Sequence, residues 1–274
     1  GDVVETTQEE DAAATDSSDG QSGNNSGKEK DNTTETAPEE FKVFRPALRY
    51  VGFILLILSF MSGTVLPVCY YFNELYAIKA FAVTAVVSGL TGAMMCYLGR
   101  KFKDPSLTQI FWMGAAAWIV ISVAGAFPFF MVAHSLPVDV QGSTSAVVFR
   151  QFSNSLFESV SGFTSTGLTM VLGREESLPA CLQWWRSISQ WFGGLGFISL
   201  VLMYVQPTYR SLIALETELA DQESHTDPHK ITGHLWGIYA MLTLAAIFAL
   251  GMMDMTPWQA LNYGLTGIAT GGFG

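Results

Sequence analysis

Long uncharged stretches alternate with short charged ones along most of this chain, and only its first 40 residues depart from the pattern. Free of Asp, Glu, Lys and Arg are residues 50–73, 80–99, 105–138, 187–209, 231–253 and 255–274. A run of about 20 apolar residues is enough for a helix to cross the hydrocarbon core of a bilayer. Unpaired backbone groups find no water there, so spanning segments are helices or closed barrels, and runs this continuous lack the period-2 alternation of barrel strands. The pattern predicts an all-α polytopic membrane protein with spans over 47–72, 76–98, 109–132, 182–205 and 234–253.

Two apolar stretches remain. Residues 152–172 carry Glu158, two glycines and eight Ser or Thr residues, and a full crossing there would invert every later loop. They fit a re-entrant segment, a short helix that enters the membrane and returns as a loop on the same side. Residues 257–274 have the same layout, with Pro257 suited to a helix start and glycines following a short apolar stretch. Laid over each other, NSLFESVSGFTSTGL (154–168) and QALNYGLTGIATGGF (259–273) match Gly162 with Gly267 and Gly167 with Gly272. Ser161 falls on Thr266 and Ser165 on Thr270. The repeating unit is a helix, a re-entrant pore helix, a loop and a helix.

Charge adds orientation. The net charge of −10 lies entirely in residues 1–40, which hold twelve acids and two lysines, so the remaining 234 residues balance. That tail has no Leu, Ile, Met or aromatic residue and cannot bury a core. It lacks the basic start and apolar run of a signal peptide. Lys and Arg collect on the cytoplasmic side of short loops. Lys42, Arg45, Arg49, Arg100, Lys101, Lys103, Arg210 and Lys230 fall on one side, against Lys79, Arg150 and Arg174 on the other. The N-terminus is therefore expected inside the cell. The expected segments are an acidic cytoplasmic tail (1–44), two extra transmembrane helices (45–104), a first repeat (105–206), a cytoplasmic loop (207–232) and a second repeat (233–274) that stops at its loop.

The loop chemistry suggests a cation. Non-helical backbone at membrane depth is tolerated where it is buried or lines a watery cavity. In Thr164-Ser165-Thr166-Gly167, glycine permits the positive φ that turns successive carbonyls towards one axis. Such an oxygen ring replaces the hydration shell of a potassium ion. The short helices would aim their negative C-terminal ends at the same cavity. Close helix packing through small residues is the alternative use of Ser161, Gly162 and Gly167.

The segments SLFESVSGFTSTGLTMV, QWWRSISQWFGGLGFISLV, AWIVISVAGAFPFF and ALNYGLTGIATGGFG resemble the TrkH-type potassium uptake proteins of the Trk/Ktr superfamily. The likeness runs from about residue 107 to 274, and the two preceding helices match an extra pair in TrkH-type members. The resemblance implies a potassium-channel-like pseudo-tetramer of four helix, pore-loop, helix repeats, of which about two are present here. It implies a first K⁺ filter at Thr164, Ser165, Thr166 and Gly167 and a second at Ala269, Thr270, Gly271 and Gly272, both acting mainly through backbone carbonyls. It also implies homodimers, a cytosolic nucleotide-binding regulatory subunit, the cytoplasmic membrane as location, and K⁺ as transported ion without a cofactor. The expectation is an N-terminal portion of a transporter, with no nucleic-acid partner and no enzymatic chemistry.

Other residues carry narrower expectations. Glu158 and Arg186 are the opposite charges of the pore region and are expected to pair behind the filter, with snorkelling of Arg186 as the alternative. Gly193, Gly194 and Gly196 are expected to pack closely against the pore helix or to permit a bend. Trp112, Trp184, Trp185, Trp236 and Trp258 are expected as interface anchors. Cys69, Cys96 and Cys181 lack metal-ligand spacing, and His225, His229 and His234 are split by Pro228. Two other classes are alternatives: a non-conducting assembly partner, and an intramembrane serine hydrolase using Ser161 and His234. The hydrolase reading is weak because Ser159 replaces the first glycine of a GxSG motif.

Overall fold

A computed structural model describes residues 39–100, 107–171, 177–217 and 228–273. The acidic tail to residue 38, Lys101, Lys103, Arg174, His225 and Gly274 lie outside the described residues. Among the described residues there is no strand. The helices are α1 (Glu39–Tyr71), α2 (Leu75–Leu98), α3 (Leu107–Ser135), α4 (Val138–Gln141), a 3₁₀ turn (Ser145–Arg150), α5 (Phe152–Phe163), α6 (Ala180–Thr217), α7 (Pro228–Gly251) and α8 (Pro257–Ile268). The all-α polytopic membrane fold is thus the observed one.

Among the described residues, four helices are long and apolar enough to cross a membrane, over Leu48–Tyr71, Leu75–Leu98, Phe111–Ser135 and Gly233–Gly251. The fifth expected crossing lies in α6, which has ample length but is not among the four. Its first half carries Arg186, Ser187, Ser189 and Gln190, all buried against protein. The helix also continues to Thr217, and α7 begins at Pro228, so much of the expected loop 207–232 is helical. The end of an uncharged run marks where a helix leaves hydrocarbon, not where it stops.

α5 and α8 each have 12 residues, a length of about 18 Å that cannot span a hydrocarbon core of about 30 Å. α5 lies between α3 and α6, and α8 between α6 and α7. The first unit inserts α4 and the 3₁₀ turn before its short helix, whereas α8 follows α7 after a short turn. Thr256 caps α8: its hydroxyl accepts from the Gln259 N–H, and the Gln259 side chain accepts from the Thr256 N–H. Pro257 follows at the position where a missing N–H costs nothing.

α1 and α2 pair along their lengths and join the same core through α3 and α6. Asn73 takes a left-handed conformation (φ 58°) in their connection, one that Asn tolerates. The next residue, Glu74, reaches across to α6, where its two carboxylate oxygens accept from the Ala180 and Cys181 N–H groups at 2.7 and 2.8 Å. These are orphan donors of the first turn, so a side chain from the extra helix pair caps the central helix. Leu58, Met61, Phe81, Phe129, Phe149, Phe163 and Trp185 form much of the core between these elements.

Candidate functional site

The two short helices end in the same turn. In the first, the Ser165 N–H donates to the Gly162 carbonyl at 3.0 Å and the Thr166 N–H to Ser161 at 2.9 Å. In the second, Thr270 donates to Gly267 at 3.1 Å and Gly271 to Thr266 at 3.0 Å. Both are Schellman turns. Their left-handed residues are Ser165 and Thr270, each at φ 53° and neither a glycine. A non-glycine residue there costs about 1–3 kcal/mol, and such strain concentrates at working sites. Positive φ returns at Gly167 (76°) and Gly272 (67°). Both loops therefore alternate the sign of φ, which turns successive peptide planes the same way and gathers their polar groups on one side.

The loops meet each other. A Cβ at Gly167 would overlap the Gly271 carbonyl oxygen, so only glycine allows this approach. Ser165 and Gly167 are partly covered, and Ala269 and Gly271 are buried. Thr164, Thr166, Thr270 and Gly272 are exposed. Each loop thus has a covered edge and an open edge.

Behind the first loop stands a buried ion pair. Arg186 Nε lies 2.7 Å from Glu158 Oε1, with exposures of 2% and 0%, low enough to exclude a snorkelling arginine. The carboxylate also accepts from the Thr169 hydroxyl at 2.9 Å and the Met170 N–H at 2.9 Å, which fastens the segment leaving the loop. Arg186 donates to the Thr169 hydroxyl at 3.2 Å, and its guanidinium sits 4.0 Å from the Phe273 ring centre. Phe273 follows the second loop, so one cation touches the exits of both.

α6 provides the wall. Gly193 packs against the Phe163 backbone at the end of α5, and Gly194 against Ala269 and the Tyr239 hydroxyl. Gly196 has open space and takes no part in close packing. Gln190, fully buried, donates through Nε2 to the Gly271 carbonyl at 2.8 Å, and its main-chain oxygen accepts from the Ser165 hydroxyl at 3.3 Å. Trp118 donates to the Phe163 carbonyl at 3.0 Å. Sequence reasoning missed Gln190, Thr169 and Trp118, because no local spacing links them to loops distant in the chain.

The tryptophans divide. Trp112 and Trp236 are exposed. Trp184 stacks near Trp258, with ring centres 6.1 Å apart. Trp185 corrects the expectation of an interface anchor: it is fully buried and donates to the Gly125 carbonyl at 3.2 Å. That carbonyl lies in α3 just before the helix-internal Pro128. Ser161 is buried in α5, while His234 is exposed in α7 beside Gly233, Gly237, Ile238 and Met241. Among the described residues no group of three or more His, Cys, Asp or Glu side chains could hold a metal ion, and the three cysteines are free.

Residues 77–274 match the TrkH family, described as a cation transport protein. The Trk system potassium uptake protein TrkH of Escherichia coli K12 is 30% identical over 241 residues, covering 84% of this chain and 46% of that protein. The TrkH of Vibrio parahaemolyticus is 28% identical over 241 residues with the same coverage. TrkI of Halomonas elongata is 28% identical over 247 residues, covering 88% of this chain and 46% of its own length. The crystal structure of the potassium transporter TrkH from Vibrio parahaemolyticus superposes with a TM-score of 0.62 at 25% identity, over 81% of this chain and 42% of that one. The chain spans a little under half the length of these relatives.

Proposed function

The chain belongs to the TrkH family of cation transport proteins, and on that premise we propose that it supplies part of a potassium uptake pathway across the cytoplasmic membrane. The observation that carries this reading is the repeated loop: equivalent turns, the same alternation of φ, and direct contact at Gly167 and Gly271. Backbone carbonyls of Thr164 to Gly167 and of Ala269 to Gly272 then take over from water around a dehydrated K⁺ ion. The C-terminal ends of α5 and α8 lead straight into these loops and add favourable potential for a cation.

The open edge at Thr164 and Thr166 and that at Thr270 and Gly272 leave room for further members of a ring, and four units are the closure this reading requires. The transporter is a homodimer with a cytosolic nucleotide-binding subunit, and its N-terminus faces the cytoplasm. An inside-negative potential supplies about 2.3 kcal/mol per ion per 100 mV, enough to drive accumulation.

The test is growth at low K⁺ of a bacterium stripped of its own potassium uptake systems. The complete reading frame that includes these residues restores growth, and Gly167→Asp in the same frame abolishes it. Absence of rescue despite good membrane insertion would replace transport with a non-conducting assembly role.

A further inference from the structure

Gln190 has an unusual set of partners. It is a fully buried amide in the middle of α6, flanked one turn earlier by Arg186 and one turn later by Gly194 on the same helix face. Its Nε2 donates to Gly271 of the second loop, and its own carbonyl receives Ser165 of the first. Its Oε1 has no partner among the described residues. Turning the amide over would set two oxygens against each other, so the Gly271 bond fixes its orientation.

The two loops depend on this helix unequally. In the first, Thr166 stands where the second has Gly271, and the Thr164 and Thr166 hydroxyls bond each other at 2.7 Å. That loop braces itself. In the second, the peptide between Gly271 and Gly272 is flanked by glycine on both sides and can rotate without a side-chain clash. Its oxygen is lodged between Gly167 and the Gln190 amide.

Resting on the potassium reading above, we propose that Gln190 is a positioning residue for ion preference. By holding the Gly271 carbonyl, it fixes the spacing of the two loops and keeps the second from presenting a rearranged set of oxygens. The size and number of oxygens around the ion decide whether K⁺ is preferred over the smaller Na⁺. Without the amide donor the Gly271 peptide turns, and discrimination falls while the loops themselves remain.

The experiment uses the full-length transporter reconstituted in liposomes, with K⁺ and Na⁺ entry measured on the same preparation. Gln190→Leu and Gln190→Met, which lack a donor, lower the K⁺/Na⁺ entry ratio about threefold to tenfold, the factor expected for one hydrogen bond. Gln190→His, which keeps an N–H, returns the ratio towards wild type. An unchanged ratio in folded Gln190→Met protein would overturn the proposal. Failure of both apolar variants to fold would also overturn it, because Gln190 would then be a packing residue. A wild-type protein that passes neither ion would remove the uptake reading first, and this inference with it.

Discussion

Glu158 and Arg186 meet where neither has water to fall back on, so removing one leaves the other buried without its ion-pair partner. Removing one partner of such a pair typically costs about 3–5 kcal/mol, because the other is stranded. Against a total stability of about 5–15 kcal/mol that is a large fraction. Arg186→Gln and Glu158→Gln should each sharply lower the thermal midpoint of the detergent-purified full-length protein. The apolar double variant Glu158→Leu/Arg186→Met should recover part of the loss. Equal midpoints for wild type and both single variants would mean that the pair contributes nothing. The two charges could be singled out from the sequence because ionised groups are rare among apolar runs. Gln190 could not, since an amide in a helix rich in Ser and Gln has no signature, and its partner lies 81 residues away. Trp185 was misplaced for a related reason: a Trp near a span end usually sits at the interface, and only the closeness of α3 shows it to be interior.

At the scale of whole helices, the central one depends on a neighbour for its start. Glu74 bonds two N–H groups at the head of α6, and losing a capping side chain costs about 0.5–2 kcal/mol. Glu74→Ala should therefore lower the thermal midpoint modestly and speed amide hydrogen exchange at Ala180 and Cys181, with little change in α8. Uniform exchange throughout the protein would show instead that the whole fold had loosened. Helix existence was readable because uncharged runs of membrane length leave few alternatives. Helix ends were less so, as α6 shows by continuing to Thr217. The start of α8 was more legible than most, since Thr256-Pro257-Trp258-Gln259 carries both a proline at the first turn and a capping box.

Across the whole molecule, the covering of the helices is uneven. In the best apolar window of α3, 44% of residues are buried, but only 11% in that of α7, so α7 shows most of its surface to lipid or to further protein. Arg49 packs beside Gly99 at one end of the α1–α2 pair, whereas exposed Asp139 sits in α4 at the end where α5 begins. With the N-terminus cytoplasmic, an Asp139→Cys variant in a Cys96→Ser background should react with a membrane-impermeant maleimide added outside intact cells. An Arg49→Cys variant should react only after permeabilisation, and the opposite pattern would invert the proposed orientation. The pairing of the two loops was legible as a faint alignment, yet their contact was not, because Gly167 and Gly271 touch through backbone that leaves no imprint on residue type. Joining both loops on one polypeptide has an evolutionary consequence. In a ring of identical subunits a mutation appears at every position at once, whereas here Thr166 can change while Gly271 stays as it is. Equivalent places can drift apart one at a time, and a symmetric frame can acquire an asymmetric chemistry.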